Sequence, residues 1–85
     1  MYIDQIRTIV AKHVQLSEAA DNLTDDKDLY AAGLSSLSTV NLMLALEDHF
    51  DVEFKDSMLG RKTFATLRSL AEAIEELRGE RANQK

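Results

Sequence analysis

The chain contains no cysteine and no proline, and only three glycines, Gly33, Gly60 and Gly79. Without cysteine there is no disulfide, no thiolate metal site and no thiol nucleophile. Three scattered glycines exclude a glycine-rich phosphate loop. No apolar run is long enough to span a bilayer, so membrane insertion is not expected. Asp4 and Arg7 interrupt the first apolar residues, which argues against a signal segment, and a cytoplasmic location is the default expectation.

Other chemistries fail on spacing. His13 and His49 are far apart and belong to no ligand cluster, so no metal site is expected. Counted from Asp21, a calcium loop would need glycine where Asp26 stands and glutamate where Ala32 stands. Glu47 and Asp48 diverge on an exposed helix flank and make a poor acid–base pair. Ser36 has no histidine and oxyanion arrangement to complete a triad. The expectation is a protein that is not an enzyme.

What is present fits one small domain. Of 85 residues, 45% are apolar and 29% charged, a normal soluble balance. The net charge of −5 is concentrated in the middle, where residues 13–54 hold nine acids against the single base Lys27. Such a surface repels nucleic acid and anionic membranes and steers a basic protein partner. The bland alternative is a solvated acidic face.

Tyr2, Ile3, Ile6, Ile9, Val10 and Val14 recur at helical spacing and predict a first amphipathic helix over residues 2–15. Residues 16–33 lack periodicity and read as a long connection, anchored by Leu23, Leu29 and Tyr30. A second helix runs from about Ser36 to Phe50. Its first apolar face comprises Thr39, Leu42, Met43, Leu46 and Phe50, and its second Leu37, Val40 and Leu44. That second face is either buried by a neighbour or left for docking.

A second connection follows over 51–62, with Val52, Phe54, Met58 and Leu59 as inward candidates and a helical turn near Asp56–Leu59. The last helix begins after Thr63 or Thr66, buries Leu67, Leu70, Ala71, Ile74 and Leu77, and stops at Gly79. The expected fold is all-α, a small three- to four-helix bundle with a long first loop. Residues 1–79 form the domain and 80–85 a frayed tail.

Ser36 lies at the start of the second helix. There it serves as an N-cap, or as a hydroxyl to which an anionic group can be attached at the positive helix end. The surrounding residues resemble a known family. Gly33-Leu34-Ser35-Ser36-Leu37, then Ser38-Thr39-Val40-Asn41-Leu42, is similar to the prosthetic-group site of acyl carrier proteins, whose pattern is glycine, any residue, aspartate, serine, leucine. The likeness continues through Ala45 to Phe54 and covers essentially the whole chain.

By that resemblance Ser36 receives 4′-phosphopantetheine from coenzyme A through a separate phosphopantetheinyl transferase. The arm then holds cargo as a thioester. Leu37, Val40, Leu44, Glu47 and Asp48 form the implied docking face. The implied partners are that transferase, an acyl- or aminoacyl-loading ligase and a downstream transferase, acting on a monomer. The cargo is fatty acyl, hydroxyacyl or aminoacyl.

Three positions depart from the family pattern. Ser35 replaces the aspartate before the serine, and Ser38 and Asn41 replace acids usual after it. The nearly uncharged helix start points to a specialised carrier with dedicated partners. Asp28-Leu29-Tyr30-Ala31-Ala32-Gly33-Leu34-Ser35-Ser36 is also similar to discrete bacterial carriers loaded with an amino acid by stand-alone ligases. The competing reading is a helical protein-interaction domain without a prosthetic group, in which Ser36 is only a helix cap.

Overall fold

A computed structural model describes residues 2–14, 16 and 22–79. Among the described residues are three α-helices, α1 (Ile3–His13), α2 (Ser36–Phe50) and α3 (Leu67–Leu77), and a 3₁₀ turn at Asp56–Met58. These three α-helices agree with the sequence reading, and residues 22–35 belong to no α-helix. Residues 17–21 of the expected first connection lie outside the described residues. The expected tail, 80–85, lies outside the described residues.

Helix α1 begins without a side-chain cap, but Asp4 sits in its first turn and Lys12 and His13 in its last. Those charges complement the helix dipole. Its buried residues, Ile6, Ile9 and Val10, face the core. It packs against both α2 and α3. Helix α3 starts after Thr66, its N-cap, and not after Thr63. Thr66 Oγ1 accepts from the Ser69 N–H at 2.9 Å, and Ser69 Oγ accepts from the Thr66 N–H at 3.1 Å. Gly79 ends it with φ 72°, in the left-handed region that glycine adopts without a Cβ clash.

The first loop is held from both sides. Leu23 and Leu29 are buried and Tyr30 half-buried, as expected, and Ala32 and Leu34 are buried with them. The Leu29 N–H donates to Ala65 C=O at 2.7 Å, and the Arg68 N–H to Asp25 C=O at 3.0 Å. Arg7 Nη2 reaches both Leu23 C=O and Asp25 Oδ1 at 3.1 Å. Arg68 Nε meets Asp26 Oδ1 at 2.8 Å. The Asp26 hydrogen bond, chiefly, raises the Arg68 pKa above its ordinary value. Two of the acids in this loop are therefore intramolecular staples.

In the second connection Phe54 and Met58 are buried and Val52 partly so. Leu59 corrects the expectation, being 46% exposed. The 3₁₀ turn points Met58 inward, and the next residue, at φ −89° and ψ 23°, leaves the core. Phe64, absent from the sequence-based core, is 1% exposed, with its ring centroid 5.4 Å from that of Phe54 and the two rings tilted by 43°. No described helix is long and apolar enough to cross a membrane.

Candidate functional site

The site is built by the turn that precedes α2. Asp28 Oδ1 accepts from the Tyr30 N–H at 2.9 Å. The Gly33 N–H then donates to Tyr30 C=O at 3.1 Å, and the Leu34 N–H to Leu29 C=O at 2.9 Å. Gly33 adopts φ 119°, open to glycine and strained for any L side chain. With Leu29 and Leu34 buried on either side, the chain enters α2 at a fixed angle.

Ser35, not Ser36, caps the helix. Its Oγ accepts from the Ser38 N–H at 3.1 Å, while Ser38 Oγ accepts from the Ser35 N–H at 2.8 Å. This is a capping box with serine in place of the usual third-position glutamate. The cap expected at Ser36 is thus corrected by one position. Ser35 has the extended backbone a cap requires, with φ −104° and ψ 171°, and Ser36 is the first helical residue.

Ser36 is exposed, and its Oγ makes no hydrogen bond among the described residues. Backbone N–H groups of a first helical turn lack intrahelical partners and carry the positive end of the dipole. No acid lies in the first turn of α2. An anionic group on Ser36 therefore meets favourable potential without a competing carboxylate.

Ser36 also opens into a surface cleft of about 320 Å³, shared with Tyr30, Thr39, Val40, Leu59, Gly60 and Arg61. A second cavity of about 400 Å³, lined by Met58, Lys62, Ser69, Glu72 and Glu76 among others, does not include Ser36. The cleft beside Ser36 offers one cation, two apolar side chains and an exposed hydroxyl. That set fits a phosphodiester carrying a branched aliphatic arm, as 4′-phosphopantetheine does. Sequence reasoning missed Tyr30, Leu59 and Arg61 here, because their meeting depends on how the second connection folds back over α2.

The second apolar face of α2 is uncovered. Leu37, Val40 and Leu44 are 73%, 48% and 54% exposed, and the spacing 37, 40, 44 aligns them in one stripe. Asp48 is exposed beyond them. Glu47 behaves differently from the expectation of a free surface acid. It is half-buried, and its Oε2 accepts from the Phe54 N–H at 2.8 Å, tying the second connection to α2. Among the described residues, no group of three or more histidine, aspartate or glutamate side chains is placed to hold a metal.

Comparison with known proteins agrees with this geometry. Residues 4–74 match the family described as "Phosphopantetheine attachment site". An aminoacyl carrier protein of Agrobacterium fabrum is 48% identical over 81% of this chain and 83% of its own. Among solved structures, one is an engineered Bradyrhizobium japonicum glycine:[carrier protein] ligase complexed with a carrier protein from Agrobacterium tumefaciens and ATP. Its matching chain superposes with a TM-score of 0.85 at 43% identity, over 89% of this chain and 99% of that one. A holo acyl carrier protein of Nitrosomonas europaea gives a TM-score of 0.80 at 32% identity, over 89% and 94%.

The three-helix fold and the hydroxyl-bearing start of α2 define a small carrier domain. The chain belongs to the phosphopantetheine-attachment family of carrier proteins.

Proposed function

We propose that Ser36 bears 4′-phosphopantetheine and that the chain carries an amino acid, glycine foremost, for transfer by partner enzymes. The observation that carries this reading is the division of labour between adjacent serines. Ser35 closes the helix, which leaves Ser36 Oγ exposed and uncommitted at the positive end of α2. The bound arm supplies a flexible thiol on which cargo is held as a thioester. The chain has no cysteine to supply one itself.

The protein catalyses nothing in this reading. It is modified by a phosphopantetheinyl transferase, loaded by a ligase and unloaded by a downstream transferase, in the cytoplasm, with residues 1–79 as the carrier domain. Leu37, Val40 and Leu44 supply apolar contact to those partners, and Asp48 a charge. Glu47 contributes mainly by fixing the chain after α2. An amino acid is favoured over a long acyl chain on two grounds. The similar proteins include one named for aminoacyl cargo and one complexed with a glycine ligase. The core residues Leu46 and Ile74 are fully buried, and a long tail entering between the helices would have to part such packing.

The test is intact mass after incubation with coenzyme A, Mg²⁺ and a broad-specificity transferase. Ser36→Ala is treated in parallel. Native protein gains one phosphopantetheine and the variant none. Adding ATP, glycine and a glycine:[carrier protein] ligase then adds one glycyl group to the holo form. No gain with several transferases refutes the attachment site. Charging by fatty acyl ligases but by no amino acid ligase refutes the cargo.

A further inference from the structure

Arg61 is placed differently from the arginines that staple the first loop. Arg7 and Arg68 pair with Asp25 and Asp26. Arg61 forms no ion pair among the described residues, and its guanidinium carbon stands 4.1 Å from the centroid of the Tyr30 ring. A cation over an aromatic face at that distance is attracted by the ring quadrupole, so the ring orients the guanidinium while leaving its positive charge uncompensated. The platform is itself fixed. Tyr30 is half-buried and belongs to the turn that leads, through Gly33, into α2. Arg61 is also the single charged residue among those lining the cleft into which Ser36 opens.

We propose that Arg61, oriented by Tyr30, pairs with the phosphodiester attached to Ser36 and holds the root of the arm in this cleft. The inference rests on attachment at Ser36. A guanidinium suits a phosphodiester because its planar N–H groups donate to two oxygens at once. The apolar walls, Val40 and Leu59, offer contact to the dimethyl-bearing carbon one methylene beyond the phosphate ester. At about 320 Å³ the cleft is near the lower limit of roughly 300–1,000 Å³ for ligand pockets. It therefore accommodates the root of the arm and leaves the thiol end free to reach partner enzymes.

The experiment compares native and Arg61→Gln holo proteins by ³¹P NMR, after intact mass has established one phosphopantetheine on each. Arg61 is exposed, so the variant retains the fold, which a thermal melt verifies. The phosphodiester in native protein tumbles with the domain. Its transverse relaxation rate is expected to be at least about twofold higher than in Arg61→Gln. Raising the ionic strength from about 0.01 to about 1 M shortens the Debye length from about 30 to about 3 Å and brings the native rate toward that of the variant. Arg61→Lys, which keeps the charge without the planar fork, falls between the two. Tyr30→Phe retains the native rate, and Tyr30→Leu lowers it. Equal rates and ³¹P shifts in native and Arg61→Gln, at normal mass gain, overturn the inference and leave the attachment site standing. Failure of the native chain to gain mass overturns both.

Discussion

The proposed separation of tasks between two adjacent serines, a cap at Ser35 and an attachment site at Ser36, gives a double dissociation that can be sized from the structure. Ser35→Ala removes the acceptor of the Ser38 N–H, at 3.1 Å, and the 2.7 Å contact between the two hydroxyls. The reciprocal bond from the Ser35 N–H to Ser38 Oγ survives. The lost contacts are exposed, so water replaces part of them, and the expected cost is about 1 kcal/mol. For a domain of this size that lowers Tm by about 4–8 °C. Ser36→Ala breaks no hydrogen bond among the described residues. Alanine is also the better helix former, by at most about 0.7 kcal/mol, so Tm stays constant or rises slightly. Thermal melts by circular dichroism and intact mass after the transferase reaction are run on both variants. Ser35→Ala should be less stable yet still modified; Ser36→Ala should be stable and unmodified. A Tm loss in Ser36→Ala equal to that in Ser35→Ala would show that the capping geometry is wrongly assigned. Modification of Ser36→Ala would place the attachment elsewhere.

Four further outcomes are expected. Ser35→Asp keeps the cap and adds a negative charge at the helix N-terminus, raising stability by about 0.3–1 kcal/mol in urea melts at low salt and less at high salt. Leu29→Ala, at a fully buried anchor of the first loop, costs about 2–5 kcal/mol in the same assay; a loss below about 1 kcal/mol would mean that the loop is not part of the core. Glu47→Ala removes a carboxylate that accepts a backbone N–H and costs about 1.5 kcal/mol, whereas Asp48→Ala stays within about 0.5 kcal/mol. Leu37→Ala, at a position 73% exposed, leaves stability unchanged but lowers the rate of ligase loading by about fivefold or more, as loss of an apolar contact worth at least about 1 kcal/mol requires.

The helices were legible because their signals are local. Periodicity identified Ile6, Ile9 and Val10 in α1 and Leu42, Leu46 and Phe50 in α2, and all are buried. The bounds of α2 agree with the sequence reading, but its cap lies one residue earlier than Ser36. Ser35 and Ser36 are chemically identical, and only backbone angles and the partner hydroxyl of Ser38 distinguish cap from first turn. The non-local features were harder to read. Asp25 and Asp26 looked like part of an acidic surface until Arg7 and Arg68, distant in sequence, were found against them. Phe64 sits among residues with no helical period to mark it, and Leu59 is carried outward by a 3₁₀ turn whose phase the sequence does not display. The Tyr30–Arg61 contact spans both connections and has no pattern signal at all.

The placement of charge around α2 bears on partner choice. No acid occupies its first turn, and Arg61 stands in the cleft beside it. The acids gather at the other end, at Asp48, Asp51 and Glu53, all exposed. A partner that seeks a carboxylate beside Ser36 finds none there, and its attraction is confined to the far end of the helix. Between the two ends run Leu37, Val40 and Leu44, with Leu59 exposed at the cleft. In the proposed reading this exposed apolar stripe is the contact surface for partners. Steering by the distal acids and selection by the apolar stripe are then separable. Rim charges act mainly on association rate and its salt dependence, and apolar contacts mainly on residence time. On the proposed function, such a carrier would discriminate among partners by shape next to Ser36 and use charge only to bring them near, as a dedicated ligase and transferase pair would require.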